Sequence, residues 1–237
     1  ITIDTNGNEF GDPQAEQIIH NIVSGFHQPE GERPHFFDLK DFGLLCPYRL
    51  KVNNLAEMIQ HIYTGNNPSF LDKYKRRWRL GDKVMIRQNY YPLNLYNGDE
   101  GFITNINAEN ATICFGKKGT HIFAMNWNDR YSPNENDERS ANEAKQDMRL
   151  IVLATAFTVH TSQGSEWKAV IVYVPYGYKL SGFLCRNLMY TALSRAKEIV
   201  FLVGNIALAQ AACSAFQQKR YEKLSSRLAN NLPKQLT

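Results

Sequence analysis

The sequence predicts an α/β fold: a parallel sheet flanked by helices and interrupted by a small antiparallel β-barrel. Three observations predict it. Apolar, β-branched runs alternate with helix-periodic segments toward both ends of the chain, which is the pattern of a parallel sheet with crossover helices. From about residue 80 to 148 the texture changes to short strand-like runs separated by turn residues. The 237 residues, 43% of them hydrophobic, are enough for such a core and an inserted module.

The elements follow in order. Gly11-Asp12-Pro13 opens a helix, with Asp12 as cap and Pro13 in the first turn. Ile18, Ile19, Ile22, Val23 and Phe26 carry its apolar face. Phe42–Cys46 reads as a buried strand ended by Pro47. A second helix carries Leu55, Met58, Ile59 and Ile62 and stops near Gly65. Strand-like runs at Lys83–Gln88, Gly101–Ile106, Ala111–Phe115 and Thr120–Met125 build the barrel, with turns at Asn97-Gly98 and Gly116–Gly119. Ser132–Gln146 is polar and acidic, a loop or a solvated helix. Leu150–Leu153, Ala169–Val174 and Ile199–Val203 are strands of the returning α/β half. Asn187–Ala196 and Ile206–Phe216 are its helices, and the basic tail from Lys219 continues as helix to about Asn230. The expected divisions are therefore 1–79, 80–148 and 149–237.

Composition narrows the function classes. No run approaches the ~18 apolar residues of a membrane span. The four cysteines, Cys46, Cys114, Cys185 and Cys213, form no C-x-x-C pair, so reduced thiols in a reducing compartment and no structural zinc are expected. The net charge of +4 is unevenly placed. Lys73 to Arg87 holds seven basic residues against Asp82 alone, and Gln217 to Thr237 holds five against Glu222. Asp129 to Asp147 reverses the balance, six acidic to three basic. Clustered positive charge suits a polyanion, although a solvated basic face has the same composition. The chain opens on Ile1 rather than Met, which is read as a piece of a longer protein or a processed product.

Three segments concentrate chemistry. In Ala156–Trp167, the residues Thr158, His160, Thr161, Ser162 and Gln163 crowd hydrogen-bonding groups into one turn. Gly164 permits a tight turn, and Glu166 adds an acceptor before a buried strand. Strand-end turns of this kind bind ligands in α/β sheets, and they also occur as plain polar loops. In Arg186–Lys197, Arg195 sits late on an otherwise apolar helix. There it could stabilise a transferring phosphoryl group or simply the helix C-terminus. In Leu44–Arg49, Arg49 emerges between a buried strand and a helix, where a phosphate or solvent could meet it.

Together these segments resemble the second motor domain of superfamily-1 helicases, in the RecD/Dda-like branch. "TVHTSQGSEWKAVIV" is similar to motif V, "LMYTALSRAKEIVFLVG" to motif VI and "LLCPYR" to motif IV. "LGDKVMIRQNYYPLNLYNGDEGFI" is similar to the opening of the inserted Src-homology-3-like barrel of RecD-type enzymes. The resemblance covers most of Phe42 to Gly204 and implies a RecA-like domain of the P-loop NTPase fold, without a P-loop of its own. By this resemblance Arg195 is the arginine finger and Arg49 a second γ-phosphate contact. Gln163, Gly164 and Glu166 lie at the nucleotide, and Thr158 and His160 on the single-strand side. From the barrel segment, Arg87 with the amides Asn89 and Asn97 and the tyrosines Tyr90 and Tyr91 suits phosphate contact and base stacking, although the tyrosines could equally pack the barrel. Trp78 could stack on a base or cover the barrel.

No G-x-x-x-x-G-K-[ST] occurs anywhere in the chain, and Gly116-Lys-Lys-Gly has the wrong spacing. No apolar strand ends in Asp-Glu to hold magnesium. ATP and Mg²⁺ are the implied cofactors, with the metal ligands expected on a first motor domain of the same polypeptide. The implied function is an ATP-dependent DNA helicase or translocase tracking single-stranded DNA 5′ to 3′, of which this chain is the C-terminal part. Two alternatives stand beside it: a catalytically inactive binding module for single strands or proteins, and an RNA helicase of the same superfamily. Helicase–nuclease complex subunits are further possible partners. The expected location is the cytoplasm, on a bacterial nucleoid or its equivalent.

Overall fold

The structure, a computed structural model, describes residues 1–8, 12–26, 38–125, 146–177 and 184–215. The expected acidic stretch at 132–145 and the tail helix beyond 216 lie outside the described residues. In chain order the elements are β1 (Thr2–Asp4), α1 (Pro13–Phe26), β2 (Phe42–Cys46), α2 (Arg49–Thr64), β3 (Ser69–Leu71), β4 (Arg77–Arg79) and β5 (Lys83–Ile86). There follow β6 (Glu100–Ile106), β7 (Asn110–Cys114), β8 (Thr120–Ala124), β9 (Gln146–Asp147), β10 (Ile151–Leu153) and β11 (Ala156–Thr158). The chain closes its described part with β12 (Trp167–Val174), α3 (Arg186–Leu193), β13 (Ala196–Gly204) and α4 (Ile206–Ser214).

Five strands form a wholly parallel sheet in the order β1-β13-β12-β2-β11. Its central strand β12 is apolar on both faces because helices cover both. Ile171 and Tyr173 point to one side, where Ile19, Val23, Leu55 and Ile59 of α1 and α2 pack. Val170, Val172 and Val174 point to the other, against Leu188, Met189, Ala192 and Ala209 of α3 and α4. The Asp12 carboxylate accepts from the Ala15 amide at 2.9 Å and caps α1 as its sequence implies. Asn205 caps α4 in the same way, accepting from the Leu208 amide at 2.9 Å.

The inserted module is a curled sheet in the order β10-β5-β6-β7-β8-β9. Its two outer strands are joined by the single turn Met148–Leu150, which brings the ends of the sheet together. Val84, Ile86, Ile103, Ile113, Phe123 and Ile151 fill its interior. The Gly116–Lys118 turn links β7 to β8, with Gly116 and Gly119 at positive φ, so that glycine-rich stretch is hairpin chemistry.

The structure differs from the sequence expectation in four places. Leu150–Leu153 was expected in the parallel half, yet β10 pairs antiparallel with β5 and belongs to the barrel. A short apolar run carries no directional information, and the boundary at 149 falls before it. The segment before residue 80, for which no strand was expected, holds the antiparallel hairpin β3–β4. Trp78 sits at its centre, 2% exposed and packed in the barrel core, so it covers the barrel. Finally, β1 and β11 add two three-residue strands too short to show a period.

Candidate functional site

The parallel strands all run one way, so the sheet has two chemically distinct edges. At the carboxyl edge, β2 ends at Cys46 in register with Thr158, the last residue of β11. The chain then turns into α2 at Arg49 and into the turn 159–164. Between this edge and the barrel lies a groove of about 850 Å³. Its walls carry six cations, Arg49, Lys75, Arg76, Arg77, Arg79 and Arg87, against one carboxylate, Glu57. Asn53, Asn97, Thr158 and Thr161 add neutral hydrogen-bonding groups.

Local sequence explains why the cations face inward. In β4, Trp78 is buried, so the alternation of a strand turns Arg77 and Arg79 outward on either side of it. Asp72 anchors the hairpin: it accepts from the Trp78 indole at 3.0 Å and from Arg76 Nε at 2.8 Å. Arg76 also donates to the carbonyls of Ile151 at 3.1 Å and Met148 at 2.9 Å, tying the hairpin to the barrel. A second anchor is Asp82, which accepts from Gln60 and Thr64 of α2 at 2.5 and 2.6 Å and from the Arg79 amide at 2.7 Å. Burial pushes the Asp82 carboxyl above its ordinary range, against the opposing pull of those hydrogen bonds. Arg79 donates to Gln60 at 2.6 Å and Arg77 to Ser69 at 3.0 Å.

The expected single-strand residues separate. Thr158 lines the groove, and its hydroxyl accepts from the Thr161 amide at 3.2 Å. Asn97 lines it as well, with its amide held at 2.9 Å by the Asn89 side chain. Asn89 is thus a brace for Asn97 and lies outside the groove lining. His160 is exposed on the turn beside Thr161, also outside the lining. Sequence reasoning did not single out Arg77 and Arg79. A period-2 reading of Arg-Trp-Arg would have found them.

The amino edge holds the other group of candidates. Arg195 precedes β13 and is half-buried. Its Nε donates to the Thr191 carbonyl at 3.1 Å and its guanidinium to the Ser165 carbonyl at 3.3 Å. Its own carbonyl accepts from the Trp167 amide at 2.9 Å. Gly164 has φ +92°, with nothing within 4 Å of where a Cβ would stand. Backbone conformation, not space, therefore selects glycine there. Glu166 is exposed and pairs with Lys197 at 3.4 Å, and Gln163 is exposed on the same turn. The structure brings Arg195, Gly164 and Glu166 together at this edge. It does not bring Arg49 to them, since Arg49 stands at the opposite edge. All four cysteines are unpaired, and burial raises the Cys46 thiol to about 12. Among the described residues, no helix is long and apolar enough to cross a membrane.

Comparison with known proteins agrees with the fold. Residues 153–203 match the UvrD-like helicase C-terminal domain, and residues 55–115 match the SH3 domain of ATP-dependent RecD-like DNA helicases. The RecBCD enzyme subunit RecD of Mycolicibacterium smegmatis is 33% identical over 197 residues, covering 76% of this chain and 31% of that protein. The ATP-dependent RecD2 DNA helicase of Deinococcus radiodurans is 27% identical over 150 residues, covering 63% of this chain and 18% of that protein. The chain thus spans less than a third of the length of these relatives. A solved structure of two Pif1 helicases coordinating at forked double-stranded DNA aligns over 91% of this chain and 51% of that one. Its TM-score is 0.50 at 17% identity, which speaks for the fold alone. A RecA-like parallel sheet, an inserted RecD-type barrel and these two family matches together support the reading of this chain as a C-terminal region of a superfamily-1, RecD-like helicase.

Proposed function

We propose that this chain forms the second motor domain of an ATP-dependent DNA helicase that tracks single-stranded DNA in the 5′ to 3′ direction. In this reading the basic groove holds the strand and Arg195 completes an ATP site opened by a first motor domain. The observation that carries it is the linkage of the two edges by one short segment. The turn 159–166 begins at Thr158 in the groove and ends beside Arg195, at the Ser165 carbonyl.

The chemistry of the residues fits phosphates at both edges. Phosphoryl transfer spreads charge over several oxygens, and a positioned guanidinium stabilises it with no change of shape. Packing of α3 and the two carbonyl contacts aim Arg195 before any ligand arrives. Gly164 and Glu166 would take the nucleotide's phosphates and ribose beside it. Magnesium would be held by carboxylate and hydroxyl ligands of the first motor domain. Closure of the two domains would press on the 159–166 turn and shift Thr158 and Thr161 against the strand, and opening would release it. The names of the relatives, a RecD2 DNA helicase and a RecBCD enzyme subunit, support DNA as the polymer and a multi-subunit enzyme as the assembly to test.

The test is ATP hydrolysis by the full-length protein, with and without single-stranded DNA. Strand-stimulated turnover is expected. Strand binding with no turnover under any condition would sink the motor and leave a binding module. Tighter binding to RNA than to a matched DNA oligonucleotide would move the substrate to RNA.

A further inference from the structure

We propose that Arg49 is a ligand of the strand's phosphodiester backbone, acting with Arg87 from the opposite wall of the groove, and not a contact of the nucleotide. The proposal rests on the reading of the groove as a strand site.

Position comes first. Arg49 is the first residue of α2 and follows Cys46, the end of β2, by three residues. Cys46 is in register with Thr158, so Arg49 leaves the sheet at the edge where the Thr158 turn begins. Arg195 lies beside Trp167, at the start of β12. Leu45 pairs with Val172, which puts Cys46 level with Tyr173, six residues along β12 from Trp167. At the usual strand rise that is about 20 Å. Two arginines at opposite ends of such a strand do not converge on one phosphate.

Charge comes second. Of the six cations in the groove, Arg76, Arg77 and Arg79 already donate to protein oxygens. Arg49, Lys75 and Arg87 have no side-chain partner among the described residues. The first turn of α2 contains no carboxylate to neutralise Arg49. Arg87 is fixed in place by its amide, which donates to the Leu150 carbonyl at 2.7 Å where β5 meets β10. One free guanidinium therefore comes from the motor domain and one from the barrel, with Thr158 and Asn97 in the same groove. A polyanion lying between them would bind both units of the fold at once.

The test is equilibrium binding of a labelled oligothymidylate by the full-length protein over a range of salt, with Arg49→Ala, Arg87→Ala and Arg49→Lys. Arg49 and Arg87 are exposed, so each variant folds, and circular dichroism checks this. Each alanine variant is expected to lose about tenfold in affinity, and the slope of log affinity against log salt should fall by about 0.7. Arg49→Lys retains the charge and should restore the slope. For Arg49→Ala the turnover defect should appear in the strand concentration required, and excess strand should make it good. Unchanged affinity and slope with collapsed turnover at saturating strand would overturn the proposal and return Arg49 to the nucleotide. A wild type that does not bind the strand would overturn the groove reading itself, a result distinct from a binding wild type matched by Arg49→Ala.

Discussion

Trp167 and Arg195 hold one another at the amino edge of the sheet, the Trp167 amide donating to the Arg195 carbonyl at 2.9 Å. The indole lies over Gly43 of β2, where a Cβ would come within 2.7 Å of the ring, and stacks on Phe157 with centroids 5.2 Å apart. The orientation of the arginine therefore depends on an aromatic ring seated on the strand two places away in the sheet.

Gly43→Ala tests that dependence. The added methyl meets the ring body, not a flexible tip, so Trp167 must shift and the strand start with it. Overpacking of this kind costs about 1–3 kcal/mol. A fall in melting temperature together with reduced ATP turnover is expected, with strand affinity less affected than turnover. Calorimetry and strand titration on the same preparation read both.

Arg195→Ala separates chemistry from folding. The side chain is half-buried and its contacts are to two carbonyls, so its loss costs about 1 kcal/mol or less of stability. Strand-stimulated turnover should fall by about 10³-fold or more, as for a lost arginine finger. Arg195→Lys should not rescue it, because an ammonium lacks the planar fork that reaches several oxygens. Steady-state turnover at saturating ATP and strand decides the matter.

Much of this arrangement was legible in the sequence, and for physical reasons. The apolar runs of β2, β12 and β13 announce a sheet covered on both faces, and the glycine-rich turns announce a barrel. Arg195 stands out because an apolar helix points to it. The groove was harder to read, because it is assembled from α2, the β3–β4 hairpin, the barrel and β11, which are distant in sequence. Its cations looked like a run of surface charge. The burial of Trp78 confirms the alternation that puts Arg77 and Arg79 on one face. The edge on which Arg49 stands was hidden for the same reason: a strand–Arg–helix junction looks alike at either edge of a sheet until the register is known.

The aromatic residues make a contrasting pair. Trp78 is buried and its indole holds Asp72, so Trp78→Ala should cost about 3–5 kcal/mol, destabilise the barrel and loosen the hairpin that carries the groove's arginines. Tyr91 is 69% exposed, and its ring meets Tyr96 edge-on at 6.3 Å beside the Asn89–Asn97 brace. Tyr91→Ala should leave the melting temperature within a degree or two and weaken single-strand binding by about tenfold if a base stacks there. Equal strand affinity in the two proteins would remove Tyr91 from the strand path.

Asp82 gives the pH-dependent prediction. Its carboxylate joins α2 to the hairpin through Gln60, Thr64 and the Arg79 amide, so Asp82→Ala should destabilise the fold by roughly 2–3 kcal/mol. It should also loosen Arg77 and Arg79, lowering strand affinity. Burial raises the folded-state pKa above the ordinary 3.8, so the folded protein holds this proton more tightly than the unfolded chain. The contribution of Asp82 to stability is then fully present below that ordinary value and declines as pH rises through the raised one. The stability gap between wild type and Asp82→Ala should narrow from pH 4 toward neutrality and then level off. Urea unfolding of both proteins at several pH values measures it, and a gap that widens with pH would mean the hydrogen bonds outweigh burial at this carboxylate.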